Sequence, residues 1–287
     1  MSERRAGQSN HSGCLKHAAL PAIAGLALLL AACGGSAGKA AAVSSPSMKA
    51  PTNVPTPTAV AFDPNAGAPL PYNRIVAAYG IVGGVTFNGP ASTLNMLANF
   101  LPQLQQLGQQ YAALDPTHPV KLGLDLVVNS IQPCRADPQY CSSWPAESVI
   151  QSYIEFSQQH DLLLFFDLQL GTEPVEDAVT NHVLPYLQKY SFTELALDTE
   201  FHFPNTPQGY AAAAGYPCCL GSMHADEINW ASNELAQISL QQHLPRKVLV
   251  VHEWTSSVLP DKGDIQVNPN VSLVLQSDGF GEVGTKL

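Results

Sequence analysis

Between positions 74 and 281 the chain alternates apolar runs of strand length with amphipathic stretches of helix length, and this rhythm constrains the fold more than any other feature. Strands are expected over 74–80 (RIVAAYG), 120–129, 161–171 (DLLLFFDLQLG), 192–201 (FTELALDTEF), 247–255 and 271–281. Helices are expected over 91–114, 145–160, 174–190 and 224–243. Ser92 or Thr93 is a candidate N-cap, and Pro102 and Pro185 are expected breaks or kinks. Strands that are continuous apolar runs, separated by helices, indicate an α/β fold with a parallel sheet covered on its outer face. Both a (β/α) barrel and an open doubly wound sheet fit that pattern. No Gly-x-Gly-x-x-Gly and no P-loop follows the first strand, since YGIVGG lacks the spacing; a nucleotide fold loses ground and no cofactor is implied.

The polar ends of the strands favour the barrel. Tyr79, Asp167, Gln169, Asp198, Glu200, His252, Glu253 and Asp278 all fall at strand C-termini, where barrel enzymes assemble their sites from several strands. Side chains two apart on a strand face the same way, which pairs Asp167 with Gln169 and Asp198 with Glu200. Asp125 lies deeper in its strand, as an interior layer residue or the mark of a strand that ends early. Six strands are recognised and a closed barrel needs eight. The expectation is therefore a TIM-barrel-like parallel sheet that is incomplete, with the chain read as C-terminally truncated.

The first 33 residues read as a lipoprotein leader. Arg4, Arg5 and Lys16 form a positive region, 18–30 an apolar one too short for a comfortable membrane span, and LAAC ends at Cys33. This resembles a bacterial lipobox and implies cleavage before Cys33, lipid on its thiol and export to the outer face of the cell membrane. Residues 34–70, rich in Ala, Ser, Thr and Pro, read as a tether with a reach on the order of 100 Å if extended. The domain is expected over 71–287. Losing Glu3, Arg4, Arg5 and Lys16 moves the formal charge from −10 to about −12, and no basic patch appears, so nucleic acid is not an expected partner. Of the four cysteines left besides Cys33, Cys134 and Cys141 are the favoured disulfide, closing CRADPQYC, with no role assigned to Cys218 and Cys219.

ALDTEFHFP, with AAYG, FFDLQLG, VVHEWT and SDGFG, resembles a family of uncharacterised bacterial secreted lipoproteins and wall-associated proteins whose single domain is similar to the glycoside-hydrolase (β/α)8 barrels. The resemblance covers roughly 74–281. Asp198-Thr199-Glu200-Phe201 with Pro204 also resembles the fourth-strand end of family-18 chitinases, where the glutamate is the general acid and the aspartate orients the substrate; Glu194 and Ala196 stand where that family has further aspartates.

Glycoside hydrolysis takes an acid for the leaving oxygen and a second carboxylate as base or nucleophile. Glu200 is the candidate acid, Asp198 its partner with Asp167 facing them, and Glu253 or Asp278 the candidate second carboxylate. Tyr79, Gln169, His202, His252 and Trp254 are candidate sugar contacts. The expected partner is a carbohydrate or cell-wall polymer, with the membrane reached through the lipid. Three alternatives stand beside this: a metal-dependent hydrolase with ligands from Asp198, Glu200, His202 and His252; a non-catalytic glycan-binding or scaffold lipoprotein; and a polar network that only satisfies itself at the top of the barrel.

Overall fold

The computed structural model describes residues 61–81, 94–132, 134, 140–216 and 219–277. Outside them lie the leader with Cys33, most of the tether, Ser92 and Thr93, Cys218 and Asp278. The elements run β1 (Arg74–Ile81), α1 (Leu94–Leu114), β2 (Val120–Ile131), β3 (Ser142–Ser143), α2 (Glu147–Gln159), β4 (Leu163–Leu168), α3 (Val175–Ala178), a π-helical turn (Val179–Val183), α4 (Leu184–Lys189), β5 (Thr193–Leu197), a 3₁₀ turn (Thr199–Phe201), α5 (Pro207–Ala214), α6 (Ala225–Gln241), β6 (Lys247–His252) and β7 (Val271–Gln276). Among the described residues no helix is long and apolar enough to cross a membrane.

Six strands form one parallel sheet in the order β1-β2-β4-β5-β6-β7, with the short β3 antiparallel to β2. The sheet is curled into a half-barrel. In a flat sheet β1 and β6, four strand spacings apart, would be separated by about 19 Å. The rings of Tyr79 at the end of β1 and His252 at the end of β6 instead have centroids 5.9 Å apart. The fold is thus an incomplete TIM-barrel-like α/β sheet.

Alternate residues of each strand divide the two faces. Leu124, Leu126, Leu164, Phe166, Leu195, Leu197, Leu249 and Val251 point outward into the main core, where Leu97 and Leu104 of α1, Ile150 and Ile154 of α2, Leu187 of α4 and Ile228 and Leu235 of α6 meet them. Leu163, Phe165, Ala196, Val248 and Val250 form a second, smaller core on the concave face. This double burial is why the strands read as unbroken apolar runs.

Several boundaries differ from the sequence reading, each for a local reason. Pro102 does not end α1, which continues to Leu114 with Leu97 and Leu104 buried on either side of the proline. Pro185 lies just past the π-helical turn Val179–Val183; lacking an N–H, it cannot continue the regular ladder, and the backbone widens by one residue there. Residues 61–70, expected in the tether, fold onto the base of the sheet: Ala68 is buried, Leu70 packs on the concave core, and Arg246 donates from its backbone to Pro64 (2.7 Å) and from its guanidinium to the Leu70 carbonyl (3.0 Å). Helix α5 and strand β3 have no counterpart in the expected pattern. Cys134 and Cys141 are joined by a disulfide beside β3.

Candidate active site

Strand β5 stops at Leu197, four residues short of the expected end. Asp198 leaves the strand at φ −95° and ψ 86°, and Thr199–Phe201 make a 3₁₀ turn. Asp198, Glu200 and His202 therefore do not alternate along one strand face. The Thr199 hydroxyl donates to the His252 carbonyl (2.7 Å), which ties this turn to the end of β6. The Glu200 carbonyl accepts from Gly221 N–H (2.7 Å) and the His202 carbonyl from Ser222 N–H (2.8 Å). Gly221 is required for that approach, since a Cβ there would overlap the His202 backbone.

The turn brings Asp198 and Glu200 together by another route, close enough that Glu200 is among the causes that raise Asp198. Asp198 Oδ2 accepts from the Gln169 amide (3.1 Å) and the Tyr79 hydroxyl (3.3 Å), so donors from the ends of β1 and β4 converge on the end of β5. His252 completes the cluster from β6. Its Nδ1 faces Asp198 Oδ1 at 3.9 Å, and its Nε2 faces Asp167 Oδ2 at 3.8 Å and Asp125 Oδ2 at 4.0 Å. Among the described residues the ion-pair contacts of these acids are with His252 alone.

Burial sets the electrostatics. Asp125, Asp167, Asp198, Glu200 and His252 are each at least nine-tenths buried. Burial first, then the charge of Asp167, pushes Asp125 up to about 8, with His252 pulling the other way. Burial and then Glu200 push Asp167 up to about 7. Burial, then Asp167 and Glu200, hold Asp198 well above the usual carboxylate range. Asp125 Oδ1, both oxygens of Asp167, Asp198 Oδ1, Glu200 Oε2 and His252 Nε2 have no hydrogen-bond partner. Each such buried orphan costs about 1–3 kcal/mol. A fold carries that cost where the groups are kept for something other than stability.

The cluster sits at the C-terminal mouth of the half-barrel, over a cavity of about 710 Å³ whose lining includes Tyr79, Asp125, Phe165, Val250, Val274 and Gln276. Its lining is mostly apolar with a few polar side chains, Asp125 the acidic one among them, the usual build of a ligand site.

Of the residues expected at the site, Tyr79, Asp167, Gln169, Asp198, Glu200 and His252 are brought together. His202 is not: its Nε2 meets Glu227 Oε1 of α6 at 2.7 Å, so it ties the loop after β5 to that helix. This removes His202 from the expected metal set with Asp198, Glu200 and His252. Glu253 pairs with Lys262 (2.6 Å), and Trp254 lies half-buried just beyond β6. Asp278 falls outside the described residues. Asp125 belongs to the cluster although the expected site omitted it; the signal was a single carboxylate inside the apolar run VKLGLDLVVN, in register with Tyr79 on one side and Phe165 on the other.

No protein-family model, no curated protein and no solved structure matches this chain.

Proposed function

We propose that the protein is an exported lipoprotein, held at the outer face of the cell membrane by lipid on Cys33, whose half-barrel hydrolyses a carbohydrate or cell-wall polymer at its acidic mouth. The observation that carries this reading is the buried cluster of Asp198, Glu200 and Asp167, with Asp198 held by donors from Gln169 and Tyr79. A carboxylic acid that keeps its proton next to an ionised carboxylate is the equipment for protonating a glycosidic oxygen and stabilising the cation left behind.

In this reading Glu200, the more exposed of the two, reaches the leaving oxygen, and Asp198 stands beside it as its partner. Asp167 supplies the second carboxylate from the neighbouring strand. Tyr79, two-fifths exposed at the rim, offers a face and a hydroxyl to a sugar ring. The lipid anchor and the tether place the mouth within reach of a wall polymer.

The test is product release from a panel of wall and environmental polysaccharides by the full-length chain in detergent. Glu200→Gln is expected to lose about 10²–10⁴-fold in rate, the usual worth of a positioned acid. Equal rates for variant and wild type would remove Glu200 from the role. Retention on a polysaccharide with no product released by either protein would favour the glycan-binding reading instead.

A further inference from the structure

Besides the Asp198–Glu200 pair, the half-barrel mouth contains three buried side chains that face one another. Asp125 at 6% exposure, Asp167 at 0% and His252 at 3% come from three different strands, β2, β4 and β6. Their donor atoms all lie within 4.8 Å of one another. His252 Nε2 points between the two carboxylates, 3.8 Å from Asp167 and 4.0 Å from Asp125, too far for a hydrogen bond to either. Other histidines of the described chain sit much closer to their acids: His202 to Glu227 at 2.7 Å, His118 to Asp115 at 2.7 Å and His224 to Asp261 at 3.0 Å. His182 stands 3.5 Å from Glu173 with its ring part-exposed, whereas at His252 a buried ring nitrogen and the carboxylates facing it stand apart, with Nε2, Asp125 Oδ1 and both Asp167 oxygens unpartnered.

That spacing is what a shared cation requires. A tetrahedral ion about 2.1 Å from each donor sets the donors roughly 3.4 Å apart. The two separations to His252, 3.8 and 4.0 Å, exceed that value by roughly half an ångström, and the two carboxylate oxygens lie within 4.8 Å of each other. We infer that Asp125, Asp167 and His252 bind one divalent transition-metal ion, with His252 Nε2 and one oxygen of each carboxylate as ligands.

The neighbouring groups match. A ligating imidazole donates its other N–H to a carboxylate, which fixes the tautomer. His252 Nδ1 faces Asp198 Oδ1 at 3.9 Å, and that oxygen has no other partner. Asp198 would be the positioning residue for the ligand once that gap closes to hydrogen-bond distance. The Thr199 hydroxyl fixes the same histidine from behind through its carbonyl. Asp125 also lines the cavity, which gives an ion a route in. One imidazole with two carboxylates suits zinc or manganese over magnesium or calcium, which prefer all-oxygen shells. The site differs from the ligand set expected from sequence, since Asp125 and Asp167 take part and His202 does not. It shares Asp167 with the carbohydrate reading, where a bound ion would take that carboxylate as a ligand in place of its role as second carboxylate, and its test uses no activity.

The full-length chain in detergent is stripped with a chelator, dialysed and titrated calorimetrically with zinc chloride and with manganese chloride. One ion is expected to bind per chain, at least 100-fold more weakly in Asp167→Asn and in His252→Gln. Asp198→Asn should weaken binding 10–100-fold without abolishing it. His118→Gln and His224→Gln, which remove the exposed histidine–acid pairs, should leave the tight site unchanged. X-ray absorption of the zinc-loaded wild type gives a readout that does not rely on any variant folding: one imidazole and an oxygen shell at about 2.0–2.2 Å are expected. No binding of either metal, a tight site unaffected by Asp167→Asn and His252→Gln, or a zinc shell with sulfur or several imidazoles would each overturn the inference.

Discussion

Two buried carboxylates in this molecule behave in opposite ways. Glu173 is buried, and its Oε2 accepts from the Trp144 indole (2.9 Å), the Asn129 amide (3.0 Å) and the Ser142 hydroxyl (3.5 Å), fixing the loop after β4 to β2 and β3. Asp167 is equally buried and neither of its oxygens has a hydrogen-bond partner. The first is a structural acid and the second is not. Glu173→Met should therefore destabilise the protein by about 2–4 kcal/mol, because two or three donors lose their acceptor. Asp167→Asn, which unpairs nothing, should cost less than about 1 kcal/mol. Urea denaturation of both variants near pH 7 checks this; an equal loss for Asp167→Asn would show that the cluster holds the fold together. Sequence distinguished these acids poorly. The strand-end position of Asp167, Asp198 and His252 was legible because polar residues interrupt apolar runs there. Asp125 was ambiguous because a lone acid inside a strand reads equally as a filler of the barrel interior, and only the curl of the sheet brings it opposite His252.

The loops after β4 and β5 decide which of those residues meet. Gly171 bridges to His202, with Gly171 N–H donating to Phe201 and Phe203 N–H donating to Gly171. It holds φ +60°, and a Cβ there would overlap the carbonyl of Tyr140 and the backbone of Cys141. Gly171→Ala should cost about 2 kcal/mol or more in stability, read by denaturant unfolding; an unchanged midpoint would mean the loop can move aside. The start of α6 is a second fixture. Asp261 accepts from Ala225 N–H (2.9 Å) and pairs with His224 Nδ1 (3.0 Å), while Glu227 accepts from His224 N–H (3.0 Å) and holds His202. The bond to Asp261 raises His224 and lowers Asp261. The pair's support for the helix start is thus full below the ordinary histidine value and lost as pH rises through the raised one. At the acid end it fades as pH falls through the lowered value of Asp261. An NMR titration should give His224 a midpoint above that of an ordinary histidine, and Asp261→Asn should bring it down; the same midpoint in both proteins would contradict the assignment. None of this was visible in the spacing of residues 198, 200 and 202. Their alternation implied a continuing strand, whereas the link from Thr199 to His252 and the Gly221 approach turn the chain after Leu197.

At the scale of the molecule, the parallel order of the strands and the layer of helices outside them followed from the apolar rhythm, since each strand buries both faces. The curl did not follow from it. A local pattern says which residues face the concave side but not how closely distant strands approach, and here that approach brings Tyr79 of β1 to Asp198 after β5. The base of the sheet was also hidden, because the Pro- and Ala-rich composition of 61–70 reads as tether until Leu70 is seen closing the concave core. The account rests on the claim that the mouth so formed works as one chemical unit, with Asp198 and Glu200 acting together. Product release by wild type, Asp198→Asn, Glu200→Gln and the double variant of the full-length chain, on whichever polysaccharide of the panel the wild type degrades, tests it most directly. Groups that act together are not additive: the double variant should be no slower than the slower single variant, with both singles impaired by about 10²-fold or more. Losses that simply multiply in the double variant, or a single variant as fast as wild type, would contradict the claim.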